Sequence, residues 1–324
     1  MSSLRERLRP DALLRAGAYG AFAVVFVVFA VAAPGFLSFA NLANVVQQSA
    51  ILGLLAFGLT VVMIGGGGNV ITGGIDLSLA ANLGLSAAIY ATLIKTGHSD
   101  ALAFAATLGA GALIGALNAV AVTAFGIVPL LATLAVAKIV SGFELVLTQN
   151  TVVTASSPFL LWLTDNGPLA TPIMAYVLIG ATFFMWPSVQ ASAAGLRLHA
   201  VGAHPEAARA AGFSVPGYVA GSYVVSGLLG ALAGVLSTAY LTGSSPGSAD
   251  ILLSVVVAAL LGVVFSRRQT PTIGGTLLAV LFIGLLANGF QLLNISSYWV
   301  SGVEGALILF VVAWTTLARR ESAE

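Results

Sequence analysis

The sequence predicts an all-α, polytopic membrane protein with about ten transmembrane helices and one short cytoplasmic helix. Three observations lead to this fold class: composition, the lengths of the apolar segments and the placement of the basic residues. Of the 324 residues, 59% are hydrophobic and only 7% are charged, and the mean hydropathy is +1.04. Soluble domains carry about 25% charged residues, so most of this chain must be surrounded by lipid or by other apolar helices.

The apolar segments are long enough to cross a bilayer, which takes about 17 to 25 residues. Ten such segments are found, at 17–33, 45–64, 76–94, 101–123, 127–148, 169–186, 216–241, 249–265, 273–293 and 299–318. The first follows an arginine-rich tail and resembles a secretory signal, but its length and the spans after it favour an uncleaved helix. We therefore expect a transmembrane domain over 17–318, flanked by tails at 1–16 and 319–324.

The basic residues give the orientation. With the N-terminus in the cytoplasm, ten of the 12 arginines and lysines fall in cytoplasmic segments, as the positive-inside rule expects. Those ten are Arg5, Arg7, Arg9, Arg15, Arg197, Arg209, Arg267, Arg268, Arg319 and Arg320. Lys95 falls in an outer loop and Lys138 within a span. This count predicts that both termini and the loop 187–215 are cytoplasmic, and that the loop 149–168 lies outside.

One polar segment within the loop 187–215 predicts a short helix. Pro205 after His204 fits the first helical position, where the missing N–H of proline costs nothing. Glu206 lies in the first turn, where the helix dipole favours an anion, and Arg209 is close enough to pair with it. Gly212 can adopt the left-handed conformation that ends a helix. Such a helix is about 10 Å long, too short to span the membrane, and it suits docking into a soluble partner.

Polar residues at membrane depth are the other candidates for function. Asp76 and Ser78 follow a glycine-rich segment and mark the start of a helix. The sequence leaves open whether Asp76 only caps this helix or also lines a transport path. Asn118, Asn288 and Gln291 are uncharged, and for them both hydrogen bonding between helices and contact with a solute stay open.

Charged residues also occur inside two predicted spans. Lys138 and Glu144 are six residues apart in one span, which places them on different faces of a helix, so we expect no direct pair. Glu144 is interpreted as reaching the outer interface. Glu304 is likewise a charged residue inside a predicted span, the last one.

Small residues recur at the spacing of packed membrane helices. Gly111 with Gly115, and Gly230 with Gly234, are four residues apart and therefore lie on one helix face. Such pairs allow the backbones of two helices to approach closely. We therefore expect close helix crossings at both pairs.

Motifs for catalysis and for nucleotide binding are missing. The only lysines, Lys95 and Lys138, are not preceded by the glycine of a phosphate-binding loop, so we do not expect this chain to bind ATP by that route. There is no HExxH motif, no serine–histidine–aspartate spacing, no metal-ligand cluster and no cysteine. The formal charge of +1 gives no sign of nucleic acid. The expectation is transport, with no enzyme activity, metal or cofactor in the chain itself.

A series of short motifs extends over about residues 40–315. The motifs are Gly73-Gly74-Ile75-Asp76-Leu77-Ser78, Ala116-Leu117-Asn118, Pro129 with Ala132-Thr133-Leu134, Ala200-Val201-Gly202-Ala203-His204-Pro205-Glu206-Ala207-Ala208-Arg209 followed by Gly212, Ser226-Gly227-Leu228, Gly274-Gly275-Thr276-Leu277-Leu278, Asn288-Gly289 and Ser296-Ser297-Tyr298-Trp299. In this order they resemble the membrane-spanning subunits of bacterial ATP-binding-cassette (ABC) importers of the ribose/xylose/arabinose type. Each motif alone is weak, and the combination is specific.

The resemblance implies a ten-helix permease in the bacterial inner membrane that pairs with a second copy or a homologous permease. Two cytoplasmic ABC ATPase subunits, or one fused tandem ATPase, would dock on the loop that carries His204, Pro205, Glu206, Arg209 and Gly212. A periplasmic binding protein would deliver a simple sugar, and ATP would be bound by the partner subunits. Two alternatives stay open: a permease of the same fold for a branched-chain amino acid, polyol or nucleoside, and a secondary carrier that needs no partner.

The chain departs from the usual pattern of this family in four places. Ala203-His204 and Gly195-Leu196 replace the usual Gly-Asn and Gly-Arg around the cytoplasmic loop. The segment 65–70, with its run of glycines before Asn69, looks like an insertion before the Gly-Gly-Ile-Asp motif. Glu304 stands where relatives commonly have a lysine. The first two changes lie where a partner ATPase would dock.

Overall fold

A computed structural model describes residues 10–67, 73–247, 250–267, 269–296, 298–307 and 309, with side chains from Arg15 onward. Several predicted features lie outside these residues: Arg5, Arg7, Arg9, Arg268, Arg319, Arg320, residues 68–70 of the glycine-rich insertion and the tail 319–324. In the part described, seven helices are long and apolar enough to cross a membrane, and two shorter apolar helices accompany them. The all-α, polytopic fold class is confirmed.

The helices follow the predicted segments closely. They are α1 (Pro10–Ala32), α2 (Phe39–Gly66), α3 (Leu79–Lys95), α4 (Asp100–Thr123), α5 (Pro129–Thr148), α6 (Pro158–Thr164), α7 (Ile173–Gln190), α8 (Ala193–Ala203), α9 (Pro205–Ala210), α10 (Val215–Leu241), α11 (Ile251–Phe265) and α12 (Ile273–Leu292). Residues 298–307 are also helical and belong to the tenth predicted span. The remainder of that span, from 310 to 318, is outside the described residues.

The helix α1 begins seven residues before the predicted position 17, and α2 begins six residues before the predicted position 45. Ser38 has an extended backbone, and its hydroxyl accepts the N–H of Asn41, so it caps the helix. The prediction began later because Asn41 and Asn44 interrupt the apolar run. A polar side chain does not stop a helix when the turn that carries it is capped and packed.

The centre of the bundle is formed by α2 and α10. Within its most apolar window α2 is 83% buried, against 6% for α1, which lies at the periphery. The helix α10 packs against α2, α3 and α4. A helix that is apolar all round and buried on every side must be in contact with other helices over its whole length, so α2 connects the parts of the fold.

Glycines set the distance between α10 and its neighbours. A Cβ atom on Gly227 would overlap the carbonyl oxygen of Gly111, and one on Gly115 would overlap a carbonyl of α10. Gly230 and Gly234 face side chains of α3 in the same way. The close crossings predicted from these glycine pairs are confirmed.

Two distant segments meet at one end of the bundle, which we call the strand end. The strand β1 (Val153–Thr154) pairs antiparallel with β2 (Gly243–Ser244), joining the connections that follow α5 and α10. At the same end Asp100 accepts hydrogen bonds from Tyr90 (2.8 Å) and Ser157 (2.6 Å). Loops predicted to lie on one side of the membrane therefore contact one another here.

The opposite end, which we call the α9 end, collects the other set of loops. The backbone of Gly202 in α8 lies against the carbonyl of Ile64 and against Gly67, at the end of α2. Gln190 accepts the N–H of Ile273 at 3.2 Å, which joins the end of α7 to the start of α12. The exposed helix α9 extends from this end.

Candidate functional site

The helix α9 is short, capped and exposed. His204 ends α8 and precedes Pro205, the first residue of α9, with a non-helical backbone at φ −145° and ψ 82°. Of its six residues only Ala208 is buried, and the others face outward. The helix therefore uses one small side chain to rest on the protein and presents the rest to its surroundings.

The charged pair predicted on α9 is present. Arg209 donates from Nη1 to both carboxylate oxygens of Glu206, each at 2.8 Å. The two side chains are 59% and 85% exposed, respectively. An exposed pair of this kind contributes at most about 1 kcal/mol to stability, so it does little to hold the fold. It is an accessible charged surface.

A glycine terminates α9 in the predicted way. Gly212 has a φ of 84°, in the left-handed region. Its N–H donates to the carbonyl of Arg209, and the N–H of Phe213 donates to the carbonyl of Ala208, both at 3.0 Å. This is the Schellman arrangement, which satisfies the carbonyls at a helix end. The backbone leaving α9 therefore has one defined direction.

The preceding helix α8 fixes α9 to the bundle. Leu198 and Val201 are buried, and the guanidinium of Arg197 lies 5.5 Å from the centre of the Phe213 ring. Gly202 lies so close to the carbonyl of Ile64 that no side chain could be accommodated there. The position of α9 is therefore tied to the end of α2, the central helix.

A cleft of about 770 Å³ opens beside α8 at the α9 end. Its lining includes Gln190, His199, Arg267 and Thr270, and it extends to Gly202, just before α9. The exposed helix thus stands next to a concave, partly polar surface.

A buried polar cluster lies at the point where α3, α4 and α10 meet. Asp76 accepts the hydroxyl and the N–H of Ser78 on Oδ1, at 2.6 and 3.0 Å, and the hydroxyl of Ser226 on Oδ2, at 2.7 Å. The amide of Asn118 donates to Ser78 (2.7 Å) and to Asp76 (3.3 Å). Each of these four residues is at most 1% exposed. The carboxylate joins elements that are far apart in the sequence.

The interpretation of Asp76 as a helix cap is wrong. The helix α3 begins at Leu79, after Ser78, and no side chain caps its first turn. Leu77 instead donates its N–H to the hydroxyl of Thr133 on α5, at 3.1 Å, which holds the chain in a turn before α3. Asp76 points into the bundle, where it accepts the hydroxyl of Ser226 and the amide of Asn118 from other helices, besides the hydroxyl and N–H of its neighbour Ser78.

Asn288 and Gln291 lie apart from this cluster. Asn288 and Asn41 exchange two hydrogen bonds between their amides, at 2.9 and 3.0 Å, and so join α12 to the first turn of α2. The side chain of Gln291 is exposed. The structure brings together three of the five polar candidates and places the other two toward the opposite end of α2.

Sequence reasoning did not select Ser226, Thr133 or Asn41 as site residues. Ser226 and Thr133 stand within the motifs described above, and both are hydroxyls in long apolar helices, which is a usable signal because such groups need a partner. Asn41 gave no signal, since it falls before the predicted start of its helix.

The charged residues inside spans differ in their surroundings. Glu144 is 4% exposed and faces the bundle, whereas Lys138 on the same helix is exposed, so the prediction that they lie on different faces is confirmed. Glu304 accepts a hydrogen bond from Ser254 on α11 at 2.8 Å. No group of residues that could hold a metal ion is found in the described part of the chain.

Comparison with known proteins adds to this geometry. Residues 41–312 match the family described as branched-chain amino acid transport system / permease component. The chain belongs to this family. The match covers the helices from α2 onward, including the buried cluster and α9, and it confirms the permease resemblance seen in the motifs.

Individual permeases show the same relationship. The chain is 33% identical over 283 residues to the ribose import permease of Bacillus subtilis (strain 168), covering 86% of this chain and 85% of that protein. It is 30% identical over 274 residues to the ribose import permease of Escherichia coli (strain K12), covering 83% of each. The galactofuranose transporter permease of the same E. coli strain is 29% identical, over 76% of this chain and 72% of that protein. No solved structure matches the chain.

Proposed function

We propose that this chain is the membrane permease of an ABC importer for a simple sugar. The similarity to two ribose import permeases over more than four fifths of the chain supports the class of protein and the class of solute. The structural observation that carries the proposal is α9, an exposed charged helix fixed to the central helix of a membrane bundle. An exposed charged helix that is fixed to the bundle suits contact with a soluble partner.

The partner on α9 is an ATPase. The chain has no phosphate-binding loop, so the nucleotide is bound by separate subunits, either two ATPases or one fused tandem ATPase. Glu206 and Arg209 supply charge to that contact, and charge complementarity selects partners and fixes their register. ATP-driven closure of the ATPases displaces α9, and the close packing of Gly202 on Ile64 carries the displacement to α2.

The transported solute crosses between two permease chains that rock against one another. The partner is a second copy of this chain or a homologous permease, and a periplasmic binding protein delivers the sugar. The α9 end faces the cytoplasm of a bacterium, because Arg197, Arg209 and Arg267 lie there and the positive-inside rule assigns that side. Both termini are then cytoplasmic and β1 and β2 are periplasmic.

The buried cluster around Asp76 serves mainly to hold neighbouring helices together. In the conformation described, all four members are closed off from any passage, and the carboxylate is fully occupied by hydroxyl and amide donors. We infer that Asp76, Ser78 and Asn118 hold α3, α4 and α10 together and that they meet solute only if the helices separate during transport.

The second candidate solute is a branched-chain amino acid, which the description of the family names. We place sugars first because the individual relatives that match over most of their length are named for ribose, and one for galactofuranose. The two classes differ in chemistry, since an amino acid brings an ammonium and a carboxylate where a sugar brings hydroxyls.

Reconstitution tests both the class of transporter and the solute. The chain is co-expressed with the ATPase and binding protein encoded beside it, and the complex is placed in vesicles with labelled ribose or labelled leucine. We expect sugar uptake that requires ATP and the binding protein. Uptake of leucine but not of ribose would show that the solute is an amino acid. Uptake by the isolated chain under an ion gradient would show that the chain is a secondary carrier.

A further inference from the structure

One face of α5 is exposed along its whole length. Ala132, Val136, Val140 and Glu144 point into the bundle. The large side chains exposed before the last turn, Leu131, Leu134, Ile139 and Phe143, lie three to five residues apart on the opposite face, and Leu145, Val146 and Leu147 are exposed in the last turn. This periodicity is that of a single helix face, so α5 lies at the edge of the chain.

Lys138 lies in the middle of that face. It is the tenth of the 20 residues of α5 and is about 14 Å from either end at 1.5 Å per residue, close to half the thickness of a hydrocarbon core. Its side chain is exposed and forms no hydrogen bond or ion pair within the described part of the chain. Lysines near helix ends extend to the interface, but a lysine at this depth is too far from it.

Lipid is therefore a poor environment for this face. Placing a lysine at the centre of a membrane helix costs roughly 2.5–3.5 kcal/mol on insertion scales, because the ammonium loses its water. The exposed face of α7 offers a contrast, since Ile179, Phe183 and Phe184 are exposed there and no charged residue accompanies them. The apolar face of α7 is typical of contact with lipid, and the face of α5 is not.

A dry interface with a second copy does not suit Lys138 either. Such an interface would need a carboxylate to pair with the ammonium. Among the side chains described, the acidic ones at membrane depth are Asp76, Glu144 and Glu304, and each is at most 4% exposed in its own chain. A second copy therefore has no exposed carboxylate to offer at this depth, and water is the remaining partner.

We propose that Lys138 faces the water-filled passage between this chain and a second permease chain. There its ammonium donates hydrogen bonds to hydroxyl groups of the solute in transit and disfavours cations. Naming the solute rests on the proposed function, whereas the contact of Lys138 with water does not.

Cysteine labelling tests the position of Lys138. The chain contains no cysteine, so Lys138→Cys creates a unique reactive site, and Leu134→Cys provides a second one a helical turn away. Phe183→Cys on α7 is the matched lipid-facing control. In native membranes we expect a charged, membrane-impermeant methanethiosulfonate to label positions 138 and 134 and to leave 183 unlabelled. Labelling after denaturation in detergent is the positive control for each variant, because a thiol in lipid stays protonated and reacts slowly.

The outcomes separate the alternatives. Labelling of 138 only after denaturation would place it in lipid or in a dry interface, and either position overturns the proposal. In the reconstituted importer, attaching the charged reagent at 138 should abolish sugar uptake. Labelling without loss of uptake would show that position 138 contacts water but does not line the path of the solute. If the unmodified importer carries no sugar, the labelling pattern still reports on water at Lys138, so the two proposals fail separately.

Discussion

Gly202 lies directly against the main-chain carbonyl of Ile64, with no room for a side chain between them. This contact joins the helix that precedes α9 to the end of α2, and α2 is buried along most of its length. A force applied to α9 therefore acts on the centre of the bundle through backbone, which deforms less than flexible side chains.

Replacing Gly202 with alanine should impair coupling. The added Cβ would overlap the Ile64 carbonyl, so α8 must shift away from α2. We expect lower sugar uptake per ATP hydrolysed and a lower melting temperature in detergent. Gly221→Ala is the matched control, because a Cβ at that exposed helical position meets nothing within 4 Å. Equal behaviour of the two variants would show that the Gly202 contact is not tight in the working protein.

Replacing Glu206 with alanine should reduce ATP-coupled uptake and leave folding intact. The side chain is exposed and its pair with Arg209 adds little stability, so the loss falls on the contact with the partner. We expect uptake in reconstituted vesicles to fall by about fivefold or more, the size of a moderate interface contribution. The melting temperature should stay that of the parent protein.

The charge-reversed pair provides the control for that experiment. Exchanging the two residues, as Glu206→Arg with Arg209→Glu, keeps an ion pair on α9 but reverses the pattern seen by a partner. We expect this double variant to fold and to remain impaired. Full uptake by either variant would show that contact with the ATPase does not depend on the charges of Glu206 and Arg209.

Replacing Ser226 with alanine should destabilise the bundle. The change leaves one oxygen of the buried Asp76 carboxylate without its donor, a loss of about 1–3 kcal/mol for a hydrogen bond to a charged group. Thermal unfolding in detergent measures the effect. Ser188→Ala removes a hydroxyl that bonds only to a carbonyl of its own helix, Phe184 at 2.7 Å, and should change stability far less. Comparable losses of stability in the two variants would mean that the hydrogen bonds around Asp76 stabilise the bundle no more than one within a single helix.

Asn41 and Asn288 should be coupled energetically. They form two mutual hydrogen bonds between α2 and α12, so truncating either one to alanine removes both. In a double-mutant cycle we expect a coupling energy of about 0.6 kcal/mol, the average for hydrogen bonds between membrane helices, and at most about 1.7 kcal/mol. Additive effects of the two truncations would show that the amides do not meet.

The sequence alone was sufficient for features that are local. The lengths of apolar runs located the helices, because each crosses the same thickness of lipid. The helix α9 was predicted with its first proline, its ion pair and its terminating glycine, since every interaction that defines it is made within about ten residues. Gly111 and Gly115 were informative for the same reason, as their spacing alone places them on one face.

Features that join distant parts of the chain were out of reach. The sequence left open whether Asp76 only caps a helix or also lines a path, because its partners Asn118 and Ser226 are 42 and 150 residues away. Asn41 and Asn288 are separated by 247 residues. The spacing of residues along a helix gives the face on which a side chain lies, but it does not say which other helix that face meets.

The slight attachment of α9 has a wider consequence. Five of its six residues face outward and only Ala208 is buried, so this hexapeptide has almost no role in folding. Under the proposed function, selection could then alter the ATPase that docks on α9 without disturbing the packed helices. Exchange of residues 205–210 between two related importers would test whether these residues alone select the ATPase.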